Sequence, residues 1–237
     1  MKIALAAVQV ADGNLAFNIQ QMRHYMLEAK RQGVDLVCFG ESCLQGFNAL
    51  CWDYEKDKDM AVSVDSAVFS HICGLSADIG IDVLFGYIER AEDVLYSSCA
   101  LIMEGILYHN YRRISRGWKE YRKTDDHYRE GTAPAVFEYR GRKCAIGLCG
   151  DLWDYPERFS LGQEILFWPV YVSWTEDEWY HGGREEYAFQ ANLCCANTLY
   201  INSICEADAF GGALWFSGGN VKAELPVGRE GLLLLEL

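Results

Sequence analysis

The sequence predicts an α/β fold in which a mixed sheet, or two sheets, is covered on the outside by helices. Three observations predict it. Apolar runs of strand length alternate with stretches of helical period in the N-terminal third. The middle of the chain switches to pairs of strands joined by Gly-containing turns. The C-terminal part alternates again and closes on short strands.

Each element follows from a local pattern. Residues 2–10 form an apolar strand. The Met1–Val8 stretch has the look of a weak leader, but the run is short and Ala11-Asp12-Gly13-Asn14 plus a helix follow at once, so a core strand fits better. Over residues 15–32, Leu15, Ile19, Met22, Met26 and Ala29 recur at helical spacing, with Asn14 as N-cap and Gly33 as the stop. Val34–Phe39 is a buried strand leading into Gly40-Glu41-Ser42. A second helix covers 65–79 and a strand covers Asp82–Ile88. Tyr96–Met103 and Ile106–Tyr111 flank Glu104-Gly105 as a hairpin. A polar stretch, 112–131, separates it from a second hairpin, Val136–Tyr139 and Lys143–Leu148, turned at Arg140-Gly141-Arg142. Then come a strand at Ile165–Val170, a helix over 178–198, a strand at Tyr200–Cys205, short strands about Ser217-Gly218-Gly219-Asn220, and a last strand in Gly231–Leu237. Four prolines and no Ser/Gly-rich or single-charge tract leave no linker, so one domain over residues 1–237 is expected.

Composition narrows the function classes. With 51% hydrophobic residues the 237-residue chain is not disordered. A net charge of −13 argues against nucleic-acid and anionic-membrane partners, which need clustered Lys and Arg. No run approaches the ~20 apolar residues of a membrane span. The ten cysteines contain no Cys-x-x-Cys pair and no zinc-ribbon spacing. Several sit in apolar runs, as in Leu193-Cys194-Cys195-Ala196, where Cys packs as a small hydrophobe. Free thiols in this number point to a reducing, cytoplasmic compartment. No metal site and no cofactor are expected.

One cysteine stands apart. In Ala145-Ile146-Gly147-Leu148-Cys149-Gly150-Asp151, Cys149 falls where an apolar strand ends and a Gly turn begins. That position presents a nucleophile and lets the following N–H groups face a developing oxyanion. The plainer reading is a packed core thiol, as for the other nine. The five histidines offer no compelling base: His24 and His71 lie in helical patterns, and His109, His127 and His181 carry no motif. Glu41, at the end of an apolar strand, reads either as a base or as an ordinary strand-end acid.

Taken in order, these motifs resemble the carbon–nitrogen hydrolase (nitrilase/amidase) superfamily over nearly the whole chain. The resemblance rests on several segments. They are Ile3–Val10, Leu36-Val37-Cys38-Phe39-Gly40-Glu41, Gly105 through Tyr111-Arg112-Arg113, Tyr128-Arg129-Glu130-Gly131, Gly147 ahead of Cys149-Gly150-Asp151 with Pro156-Glu157, Gly162-Gln163-Glu164 with its strand to Pro169, Arg184 through Asn192 to Asn202, and Gly211–Phe216. The Cys149–Trp153 form is similar to the glutamine-amidase domain of NAD synthetases. The resemblance implies a four-layer α-β-β-α sandwich. It also implies a Glu-Lys-Cys triad: Glu41 as general base, Cys149 as thioester-forming nucleophile, a lysine for the oxyanion, and a small-molecule amide (less readily a nitrile) as substrate. The register puts Arg113 where that lysine belongs. Lys119 and Lys123 are the alternative amines, and a solvated basic stretch is the plain reading of all three. Asp126, with Glu120 as alternative, is nearest to the family's supporting carboxylate. The resemblance implies a homodimer. The arginine leaves open a catalytically silent binding or regulatory member of the same fold.

Overall fold

The computed structural model describes residues 1–205 and 209–237. Its strands form two six-stranded mixed sheets and one small ribbon. In the first sheet, β1 (Lys2–Ala7), β2 (Leu36–Phe39) and β3 (Asp82–Ala91) run parallel, and β4 (Val94–Met103) and β5 (Ile106–Arg112) continue antiparallel. The second holds β6 (Phe137–Tyr139), β7 (Arg142–Ile146), β8 (Ile165–Val170), β9 (Asn197–Asn202), β12 (Ala213–Ser217) and β13 (Asn220–Leu225). Here β7, β8 and β9 are the parallel strands. β10 (Ile204–Cys205) and β11 (Ala209–Phe210) pair by themselves, and β14 (Gly231–Glu236) returns to flank β1 antiparallel.

Alternation along each strand separates the layers. Ala4, Ala6, Val37, Phe39, Val83 and Phe85 turn to one face of the first sheet, where Met22 and Met26 of α1 (Leu15–Arg31) and Phe69 and Ile72 of α3 (Ala67–Ile79) cover them; the seven-residue α2 (Tyr54–Met60) lies between these helices in sequence. Leu5, Cys38, Leu84 and Leu101 turn the other way and join Ile146, Phe167 and Leu199 in the main core. Beyond α4 (Asp151–Asp154) and α5 (Glu176–Glu178), α6 (Arg184–Cys194) supplies the fourth layer. Its Tyr187 stacks on Trp168 of β8 at 5.1 Å between centroids. The result is the α-β-β-α sandwich.

The caps behave as their residues dictate. Asn14 accepts from the Phe17 N–H, and Gly33 supplies the left-handed φ of +71° that ends α1. Several boundaries differ from the sequence expectation. β1 stops at Ala7, and Gln9 makes only an isolated bridge to Ile204. β2 starts at Leu36: the Val34 N–H turns back to the Ala29 carbonyl at the end of α1, and the Asp35 side chain accepts the Lys2 N–H. The helix expected over 178–198 is broken and ends early. A π-turn, Trp179–Gly183, interrupts it where Gly182 takes φ +148°, and Asn197 and Thr198 belong to β9, with Thr198 paired to Leu166. The strand expected at Tyr200–Cys205 is divided at Ser203. The helix α2 was not expected: Tyr-Glu-Lys-Asp-Lys-Asp-Met has no apolar stripe, and its start rests on the Asp53 carboxylate accepting the Glu55 N–H.

All ten cysteines are free thiols. No helix is long and apolar enough to cross a membrane among the described residues. Burial pushes Cys43, Cys144 and Cys194 up to about 12 from an ordinary value of 9.0. A thiol that stays neutral when folded but ionises when unfolded favours the unfolded chain once pH exceeds its unfolded value. Stability is therefore expected to hold up to about pH 9 and to fall as pH rises toward 12, by about 1.4 kcal/mol per pH unit for a fully buried thiol such as Cys43. Guanidinium midpoints measured at pH 8, 9 and 10 check this; a flat series contradicts it.

Candidate active site

The parallel strands of both sheets deliver their C-terminal ends to one place. β2 runs on to Glu41, β7 to Cys149, β8 to Tyr171 and β9 to Ser203. Backbone bonds stitch these ends together: Glu41 N–H donates to the Val170 carbonyl at 3.3 Å, and Cys149 N–H to the Pro169 carbonyl at 3.0 Å. Contact there is too close for side chains at two glycines. A Cβ on Gly40 would lie 2.5 Å from Ser203 Oγ, and one on Gly86 would lie 2.6 Å from the Glu41 Cα.

Cys149 sits on a tight strand-to-helix elbow with φ +42°, a strained conformation for a residue with a Cβ. The surroundings hold it there. Trp168 Nε1 donates to its carbonyl at 2.9 Å, and its Sγ lies 3.6 Å from the Tyr171 carbonyl oxygen. Cys149 is half-buried, as is Gly150, while Leu148 and Asp151 are buried. Burial, then the Glu41 carboxylate, push it up to about 12, with Arg113 pulling the other way. The resting group is a neutral thiol that needs a base as it attacks.

Glu41 and Arg113 are 1% and 2% exposed and form a buried ion pair, Arg113 Nη1 to Glu41 Oε1 at 2.8 Å. Ser97 Oγ donates to the same oxygen at 3.0 Å. Oε2 is buried and has no hydrogen-bond partner of ordinary geometry among the described residues. Arg113 Nε donates to Ser115 Oγ at 2.7 Å. Burial opposes the guanidinium charge, but the Glu41 carboxylate, with Asp151, outweighs it and the group is shifted up, so it remains a cation. Space for this group depends on glycine: a Cβ on Gly150 would come within 2.7 Å of Arg113 Nη2, and one on Gly117 within 3.1 Å.

Asp151, fully buried, fastens the loop after β5 to the elbow. Its Oδ1 accepts the Ile114 and Ser115 N–H groups at 3.0 and 2.8 Å, and its Oδ2 accepts the Tyr111 hydroxyl at 2.6 Å and the Leu148 N–H at 2.9 Å. Burial raises its carboxyl, offset in part by Arg113 and these donors.

The structure thus brings Glu41, Arg113 and Cys149 together. It places the other candidates elsewhere. Lys119 donates to the Tyr128 carbonyl and pairs with Glu130 at 2.8 Å. Lys123, Glu120 and Asp126 are exposed, and Asp126 engages Arg129 only through its backbone carbonyl. Ser97, Ser115 and Tyr111 complete the assembly without having been singled out. For Tyr111 the signal was available in the Tyr-Arg-Arg segment; for Ser97 nothing local marks one serine of Tyr-Ser-Ser-Cys-Ala. No group of three or more His, Cys, Asp or Glu residues that could hold a metal ion occurs among the described residues.

An α-β-β-α sandwich with a strand-end cysteine facing a buried glutamate–cation pair defines the class. The chain belongs to the carbon-nitrogen hydrolase family, whose model it matches over residues 2–167. Among curated relatives it is 28% identical over 156 residues to a glutamine-dependent NAD(+) synthetase of Acinetobacter baylyi, covering 65% of this chain and 27% of that one. It is 32% identical over 111 residues to an arylacetone-specific nitrilase of Alcaligenes faecalis, covering 42% of this chain and 31% of that one. The chain therefore matches only about a quarter to a third of the length of these relatives. Among solved structures, an amidase from Nesterenkonia sp. superposes with TM-score 0.80 at 19% identity, over 100% of this chain and 90% of that one. A glutamine-dependent NAD+ synthetase from Acinetobacter baumannii superposes with TM-score 0.79 at 22% identity, over 98% of this chain and 44% of that one. At these identities the superpositions establish the fold.

Asp151→Asn is expected to destabilise the protein by about 3 kcal/mol, because the amide nitrogen would face donors and strand at least one of them in a dry site. Denaturant unfolding checks this; a loss below about 1 kcal/mol contradicts the fastening role.

Proposed function

We propose that the protein is an amidase-type hydrolase of a small-molecule amide, with a nitrile as the lesser alternative, working through a thioester on Cys149. The observation that carries the reading is the Glu41–Arg113 pair beside the thiol, with one carboxylate oxygen committed to Arg113 and Ser97 and the other unpartnered. Glu41 Oε2 takes the thiol proton as Sγ bonds to the amide carbon, and the carbonyl π electrons move onto oxygen. Arg113 and a backbone N–H of the elbow hold that oxyanion. Its collapse breaks the C–N bond, and Glu41 returns the proton to the departing nitrogen, releasing ammonia or an amine. Water then attacks the thioester, giving a proton to Glu41 and freeing the acid; the proton returns to the thiolate. Lys119, Lys123 and Asp126 have no part in this scheme. No cofactor or metal is called for, and neither a nucleic acid nor a membrane is proposed as partner. A cytoplasmic setting, which keeps the thiol reduced, suits the chemistry.

Arg113 itself favours a second reading, a silent binding or regulatory member of the fold, because a planar guanidinium does not substitute neutrally for an ammonium. Ammonia release from a panel of aliphatic amides, glutamine and nitriles separates the two. The hydrolase reading expects turnover of at least one member. It also expects Cys149→Ala to lower that turnover by roughly a thousandfold or more and Arg113→Ala by about a hundredfold. Full activity in Cys149→Ala would end it.

A homodimer, suggested by family resemblance, is proposed as the working assembly. Phe189 and Leu193, 65% and 47% exposed one turn apart on α6, support it. Light scattering is expected to give twice the chain mass, and Phe189→Glu/Leu193→Glu half of that. A monomeric parent contradicts the proposal.

A further inference from the structure

Ser97 links the two charged members of the site. It stands near the start of β4, 1% exposed. Its carbonyl accepts the Arg113 N–H at 2.8 Å, and its Oγ donates to Glu41 Oε1 at 3.0 Å. Arg113 Nη1 donates to that same oxygen at 2.8 Å. One small residue therefore fixes the backbone of the cation and the side chain of the base.

The consequence is an unequal carboxylate. Oε1 accepts two donors and Oε2 none among the described residues. With the hydroxyl absent, Arg113 Nη1 alone would hold Glu41, and a single bond leaves the carboxylate plane free to turn about it. With both donors, rotation costs a hydrogen bond to an ionised group in a dry site.

We propose that Ser97 is a positioning residue that commits Glu41 Oε1 to structure and keeps Oε2 as the oxygen that takes the Cys149 proton. The inference rests on the Glu41–Cys149 reading above. It adds a residue that touches neither substrate nor thiol and acts through the carboxylate alone. Removing the Ser97 hydroxyl must therefore loosen the base.

The test is iodoacetamide labelling of the full-length protein at pH 7.5, read at Cys149, Cys51 and Cys99 by peptide mass mapping, for wild type, Ser97→Ala and Ser97→Thr. In wild type, Cys149 is expected to label faster than the exposed Cys51. In Ser97→Ala the ratio of Cys149 to Cys51 labelling should fall about tenfold. Ser97→Thr, which restores the hydroxyl, should return it toward wild type. Should Ser97→Ala lose its fold by circular dichroism, Ser97→Cys carries the same comparison, because a thiol is a weak donor. An alanine ratio equal to that of wild type overturns the inference. So does a fall that Ser97→Thr leaves in place and that comes with new labelling of the buried Cys99, which is what a merely structural role gives. A wild-type Cys149 no faster than Cys51 overturns the nucleophile reading, and this inference with it.

Discussion

The structure turns on the carboxylate of Asp151. Four donors converge on it, from the strand and loop of one sheet and the elbow of the other. Two stacked sheets hold together through apolar contact, which is strong but non-directional. Hydrophobic packing can set their spacing but not the register of one loop against another. Asp151 sets that register: it places the residues after Tyr111 opposite the turn that carries Cys149. Arg113 lies inside the fastened segment, so its guanidinium reaches Glu41 only because that segment cannot slide.

The charge arrangement follows from the same constraint. A buried carboxylate and a buried guanidinium are each costly alone, and removing one strands the other. Glu41 and Arg113 are tolerable because they face one another, with Ser97 and Ser115 satisfying further valences. A guanidinium here differs from an ammonium in two ways. It keeps its charge at any working pH, and it needs width, which Gly117 and Gly150 leave open. The replacement at Arg113 is therefore met by its surroundings rather than simply inserted among them.

Much of this was legible in the sequence because it is local. Period-two and helical patterns marked most strands and both long N-terminal helices, and the strand-end positions of Glu41 and Cys149 stood out from their flanks. What was not legible depends on pairing between distant segments. The end of α6 is decided by β9 pairing with β8, which no helical period reveals. Ser97 reaches Glu41 only through the order of strands in the first sheet. Lys119 has the charge for an oxyanion site, but chain folding spends it on Glu130 and the Tyr128 carbonyl. Charge and spacing indicate what a residue can do; the register of the sheets decides what it meets.

The glycines packed around the site carry a consequence of a different kind. At Gly40, Gly86 and Gly150 a single added carbon would meet atoms at 2.5, 2.6 and 2.7 Å, and those atoms belong to Ser203, Glu41 and Arg113. The usual logic of mutational tolerance is inverted there. At a position that bears a side chain, alanine removes an interaction, and the damage scales with what is lost. At these glycines alanine is an intrusion, and its damage scales with the rigidity of what it meets. The site is bounded as much by forbidden volume as by the groups that fill it, so a survey that only trims side chains would pass over half of its boundary.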